Sequence, residues 1–179
     1  MVYVLIGTGF EEIEALAPVD LLRRAGVGVM TVGINGKTVV GGHGIGVEAD
    51  ITLEEMDLTD LEMIVLPGGL GGVASIRASA MTLDAVGFAW ENGCFVAAIC
   101  AGPTVLADLG ITGGKNTTCY PGQVGNMKDA VVLEQAVVRD GKLITGASAG
   151  CAVEFGLALG EAIRGAEAAA EIRRQIVIR

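Results

Sequence analysis

Cys100 stands in the run Val96-Ala97-Ala98-Ile99-Cys100-Ala101-Gly102-Pro103. An apolar, β-prone stretch runs into a thiol. A small residue and a glycine follow, and then a helix-forming segment at 104–109. This is the pattern of a strand-to-helix turn with a cysteine at its apex. Such a nucleophile elbow is strained and tolerates only small neighbours. N–H groups of the new helix would face the sulfur and favour thiolate. The thiol pKa is therefore expected to fall and its reactivity to rise. The same stretch also reads as a buried cysteine closing a core strand, because free cysteine is among the most buried residue types.

The elements that must position this thiol alternate along the chain. Val2–Ile6 reads as a strand, and 11–25 as a helix closed by Gly26. Thr8 with Glu11 three residues on fits a capping box, and Pro18 should kink the helix or remove a hydrogen bond. A strand follows at 27–32. The glycine-rich stretch 33–50 reads as a hairpin or loop pair turning at Asn35-Gly36. Met63–Leu66 is a strand that ends on Pro67-Gly68-Gly69, and 79–91 is a helix ended by Asn92-Gly93. Residues 94–99 form the strand before the elbow. Short strands at 117–119, 136–138 and 143–145 precede helices at 152–163 and 166–174. Strands alternating with helices imply a mostly parallel sheet with helices on both faces. In such sheets functional groups gather at the carboxyl ends of the strands. Residues 7–14, Pro67-Gly68-Gly69 and Cys100 all fall there.

Composition bounds the remaining possibilities. The chain has 179 residues, which suits one domain over 1–179 with a sizeable core. Its apolar runs are only strand-length, so no membrane span is expected. Met1 leads almost directly into the first strand without a signal-peptide pattern, which points to the cytoplasm. A formal net charge of −9 argues against a nucleic-acid partner. Cys94, Cys100, Cys119 and Cys151 lack CxxC spacing and read as free thiols. No His/Cys/Asp/Glu group shows metal-ligand spacing, and no glycine run fits a nucleotide loop, so neither metal nor cofactor is expected.

Five segments in order carry a resemblance to a known family. They are Gly9-Phe10-Glu11-Glu12-Ile13-Glu14, the run from Pro18 to Gly26, Leu66-Pro67-Gly68-Gly69, the run from Ala97 to Pro103, and Glu154-Phe155-Gly156-Leu157-Ala158-Leu159. Together they cover nearly the whole chain. The chain resembles the PfpI superfamily, in the branch of the human Parkinson-disease deglycase ("DJ-one") and its bacterial relatives. The resemblance implies a flavodoxin-like three-layer sandwich and a homodimer. It matches Cys100 to the reactive, oxidisable cysteine and Glu14 to the carboxyl that bonds its sulfur. Gly68 and Gly69, with Ala101 after the thiol, match the backbone N–H donors facing the thiolate or a substrate oxyanion. A protonated carboxyl stabilises a thiolate, and N–H groups stabilise an oxyanion. Without the resemblance, Glu14 reads as a first-turn acid complementing the helix dipole, as do Glu11 and Glu12.

The departures from that family are also informative. Ala101 stands where the peptidase-like branch carries a histidine, and His43 is the only histidine in the chain. A Cys-His dyad therefore requires His43 to fold over the site. Tyr120, beside Cys119, takes the place of a histidine that precedes a proline in some members. Two arginines forming an anion-attracting corner in relatives correspond to His43 and Ala147. His43, Cys119 and Tyr120 remain as site-lining positions, with Cys119 also a possible resolving thiol. Cys94 and Cys151 read as structural.

The resemblance implies cofactor-free chemistry on small reactive carbonyls. Cys100 would convert methylglyoxal to lactate, or remove early glycation adducts. The alternative from another class is a non-enzymatic oxidative-stress sensor or redox-regulated chaperone using the same thiol. A peptidase or amidase is disfavoured by Ala101.

Overall fold

The computed structural model describes residues 1–178. Strand β1 (Val2–Ile6) leads into helix α1 (Glu12–Arg24), and β2 (Val29–Gly33) follows. A hairpin of β3 (Thr38–Val40) and β4 (Gly46–Glu48) precedes β5 (Ile51–Thr52) and β6 (Met63–Leu66). Helices α2 (Leu70–Ala78) and α3 (Ala80–Glu91) lead to β7 (Phe95–Ile99) and the short α4 (Pro103–Asp108). Then come β8 (Asn116–Thr117), β9 (Val131–Val132), β10 (Val137–Asp140) and β11 (Leu143–Gly146). Helices α5 (Ala152–Arg164) and α6 (Ala166–Gln175) close the chain.

Seven strands form the main sheet in the order β10-β11-β7-β6-β1-β2-β5. All neighbours are parallel except β10 with β11. Helices cover both faces. In β1, Val2, Val4 and Ile6 enter one core with Phe155 and Leu159 of α5. Tyr3 and Leu5 enter the other, with Ala85, Val86 and Ala89 of α3. This alternation explains why β1 reads as a continuous apolar run: its side chains point to opposite faces, and both faces are packed. From β1 the chain moves one way to β2 and the other way to β6 and β7. The carboxyl ends of β1, β6 and β7 therefore lie together at a topological switch point, the part of such sheets where ligands bind. Among the described residues no helix is long and apolar enough to cross a membrane.

Two local expectations are corrected. The capping box of Thr8 with Glu11 does not form. Glu11 itself is the N-cap, and its carboxylate accepts the Glu14 N–H at 2.8 Å. The hairpin turns at 41–45 rather than at Asn35-Gly36. Asn35 instead accepts the Thr8 N–H through Oδ1 at 2.9 Å, joining the loops after β2 and β1. Helix α2 begins on Leu70-Gly71-Gly72, in a segment to which the sequence pattern assigns no element. Pro18 lies inside α1, which continues on both sides of it.

Candidate active site

Glu14 sits in the first turn of α1 and is buried, with 1% of its surface exposed. Its Oε2 accepts the Gly68 N–H from the loop after β6, at 2.8 Å. The same carboxyl also meets the Ala149 N–H and the Cys100 sulfur. The neighbouring Glu11 N–H donates to the Gly68 carbonyl at 3.1 Å. Loops after three strands are thus laced together around one carboxyl group.

Cys100 has a φ of 64°, a left-handed conformation that only glycine adopts easily. The surroundings over-determine this strained backbone. The Cys100 N–H donates to Gly146 at 2.9 Å, its carbonyl accepts the Tyr120 N–H at 2.9 Å, and Gly102 closes the turn onto Ile99 at 2.9 Å. The elbow expected from the sequence is therefore present, with a half-buried thiol at its apex. Gly68 must be glycine here. A Cβ at that position would lie 2.5 Å from Glu14 Oε2 and 2.8 Å from the Cys100 Cβ. Gly69 has a φ of 83°, which aims its N–H at the sulfur alongside that of Ala101. The two donors expected at the thiol are thus Gly69 and Ala101. Gly68 departs from the expectation because its N–H is taken by the Glu14 carboxyl.

The electrostatics also depart from the sequence reading. Burial, then the Glu14 charge and hydrogen bond, push the Cys100 thiol up to about 12. The N–H groups of Ala101 and Gly69 oppose this and do not prevail. Helix α4 has only six residues, so it adds little field behind the sulfur. Burial likewise pushes the Glu14 carboxyl up to about 7, although the hydrogen bonds from Cys100, Gly68 and Ala149 act against it. The two groups titrate as a pair. Like charges cannot both form cheaply in this pocket, so one proton stays with the pair from about 7 to about 12. Thiolate forms near neutral pH only when Glu14 takes the thiol's proton.

A profile of the DJ-1/PfpI family matches residues 1–162. The chain belongs to the DJ-1/PfpI family. It is 35% identical to protein dj-1beta of Drosophila melanogaster over 178 residues, 98% of this chain and 95% of that protein. The crystal structure of Drosophila melanogaster DJ-1beta superposes with a TM-score of 0.95 at 34% identity, covering 99% of this chain and 97% of that one. A protein of Pyrococcus abyssi named as a deglycase is 30% identical over 146 residues, 80% of this chain and 87% of its own length. These likenesses agree with the family and fold expected from the motifs.

The remaining candidates lie outside the thiol's hydrogen-bonding shell or touch it only through backbone. His43 does not pair with Cys100. Its exposed ring places Nδ1 at 2.8 Å from Glu12 Oε2, and its backbone N–H donates to Glu12 Oε1 at 2.8 Å. Glu12 is only 4% exposed. Burial alone would raise its pKa, but hydrogen bonds from the His43 ring and backbone outweigh that and lower it. The bond to Glu12, with its charge, raises that of His43. This clasp pins the hairpin turn to the loop that carries Glu14. It was not legible as a surface acid at a helix start. The ligand atoms of Glu11, Glu12 and His43 lie within 4.8 Å of one another, a set with the chemistry to hold a cation. The expectation of no metal-ligand cluster is corrected to that extent, because tertiary folding rather than local spacing brings these groups together. Tyr120 contributes its backbone N–H, while its side chain is half exposed. Cys119 is buried, with Sγ directed at the Tyr120 carbonyl at 3.4 Å. Cys94 donates to the Leu61 carbonyl at 3.1 Å, consistent with a structural part.

Proposed function

We propose that this protein is a cofactor-free enzyme acting on small reactive carbonyls, with Cys100 as nucleophile and Glu14 as its proton acceptor. The observation that carries the reading is the buried carboxyl, raised to about 7, against a strained half-buried thiol. A carboxyl with that affinity is a better base than an ordinary carboxylate and is half ionised near neutral pH. As sulfur attacks the aldehyde carbon of methylglyoxal, the thiol proton passes to Glu14. The new oxyanion is met by the N–H groups of Gly69 and Ala101 and becomes a hemithioacetal hydroxyl. The C1 proton is then removed and returned at C2 through an enediol, with Glu14 as the carrier. C1 is oxidised and C2 reduced, so no external electron acceptor is needed. Water cleaves the resulting thioester, releasing lactate and the free thiol. The same first step serves the removal of early glycation adducts.

Exposed apolar side chains on α1 and the hairpin turn, Ile13 at 55% and Ile45 at 54%, support a homodimer as the working form. Steady-state conversion of methylglyoxal to lactate by the wild type and by Cys100→Ala tests the activity. Turnover in the wild type alone is expected. Equal rates in the two proteins would remove Cys100 from the reaction. Absence of turnover in both would favour a redox-sensing role for the same thiol.

A further inference from the structure

A cavity of about 450 Å³ lies beside the elbow, and no step above uses it. Its place is fixed by the backbone of Cys100. The residue that accepts the Cys100 N–H is Gly146, and the next residue, Ala147, lines the cavity. The residue that donates to the Cys100 carbonyl is Tyr120, and the residue before it, Cys119, lines the cavity too. A third wall includes Cys151, two residues beyond Ala149, whose N–H meets Glu14. Two of the segments that hold the catalytic pair are therefore also cavity walls.

The chemistry of the lining selects its occupant. Val132, Leu133 and Ala136 present hydrocarbon. The polar groups of Thr118 are already paired: its N–H donates to Thr145 Oγ1 and its hydroxyl to the Gln135 carbonyl, each at 2.8 Å. Glu134 stands in the lining, and the chain carries a net charge of −9, so an anionic group is disfavoured. The volume falls within the range of small-molecule pockets and far exceeds the methyl group of methylglyoxal.

We propose that this cavity is the subsite for a neutral hydrocarbon group carried on C2, the carbon next to the aldehyde that Cys100 attacks. The inference rests on the carbonyl reading above and narrows it to 2-oxoaldehydes carrying a hydrocarbon chain. The chemistry is unchanged. R–CO–CHO and water give R–CH(OH)–COOH, with C1 oxidised, C2 reduced and the thiol regenerated.

The test compares 2-oxooctanal with methylglyoxal in the wild type and in Ala136→Phe, which fills the cavity. The ratio of kcat/KM for the long substrate to that for the short one is expected to fall about tenfold in the variant, as for loss of apolar pocket contacts. Turnover of both aldehydes with an unchanged ratio would overturn the subsite alone. No Cys100-dependent turnover of either would overturn the carbonyl reading itself. A second measurement depends on neither turnover nor the variant. In the wild type, saturating 2-octanone should slow alkylation of Cys151, inside the cavity, without slowing that of Cys94, outside it. Equal rates at Cys151 with and without the ketone would overturn the subsite.

Discussion

The Glu14 carboxyl and the Cys100 thiol share a hydrogen bond and hold one proton between them from about 7 to about 12. Strands β1 and β7 are separated in the sheet by β6, and the loop after β6 supplies the Gly68 N–H that fixes the carboxyl between them. The consequences can be measured in stability, in chemistry and in oxidation.

Glu14 should make the fold less stable as pH rises. Its folded pKa of about 7 lies above the ordinary 4.5, so the folded chain binds more protons than the unfolded chain within that window. Stability is then full below 4.5 and declines up to about 7. Urea unfolding midpoints across that range should fall in the wild type. The slope should flatten in Glu14→Gln, which keeps the shape and cannot ionise. An identical slope in the variant would mean that Glu14 is not the titrating group.

Gly68→Ala should damage the site more than the fold. The added Cβ meets Glu14 Oε2 and the Cys100 Cβ, so the carboxyl must move away from the sulfur. An overpacked position of this kind costs about 1–3 kcal/mol. The methylglyoxal rate should drop at least about tenfold, as expected when a proton-transfer partner is displaced. Wild-type turnover in a folded Gly68→Ala protein would contradict the role given to this contact.

The parts of the fold that local pattern controls were legible in the chain. The run Val96-Ala97-Ala98-Ile99 before Cys100 reads as a buried strand because both its faces are packed, and the small residues after it announce the elbow. Helix α2 was not legible, because Gly71 and Gly72 disfavour helix by intrinsic propensity. Packing of this segment on the loop after β1 overrides that preference. The clasp of Glu12 on His43 was equally invisible, since it joins a helix start to a hairpin turn far along the chain. The upward direction of the Cys100 shift is illegible for a related reason. Burial and a neighbouring carboxylate are tertiary facts, and they outweigh the N–H groups that local sequence predicts.

Mild peroxide should modify Cys100 before the other thiols. Cys119 is 4% exposed and so shielded, whereas the half-buried Cys100 has the Glu14 carboxyl beside it to take its proton. The expected product is a sulfinate, since the N–H groups of Gly69 and Ala101 face the sulfur and can bond its new oxygens. Peptide mass spectrometry after graded oxidation should show a gain of two oxygens at Cys100. A disulfide between Cys100 and Cys119, or earlier oxidation of Cys94 or Cys151, would contradict the arrangement.

The pH dependence of Cys100 alkylation by iodoacetamide, in the wild type and in Glu14→Gln, tests the shared proton most directly. The wild-type rate should rise with a midpoint at about 7, as the carboxyl becomes free to take the thiol's proton. In Glu14→Gln that rise should vanish, and reactivity should appear only on the alkaline side, because burial still holds the thiol above its ordinary 9.0. The same midpoint in both proteins would show that Cys100 is activated without Glu14, and the mechanism built on the pair would fail.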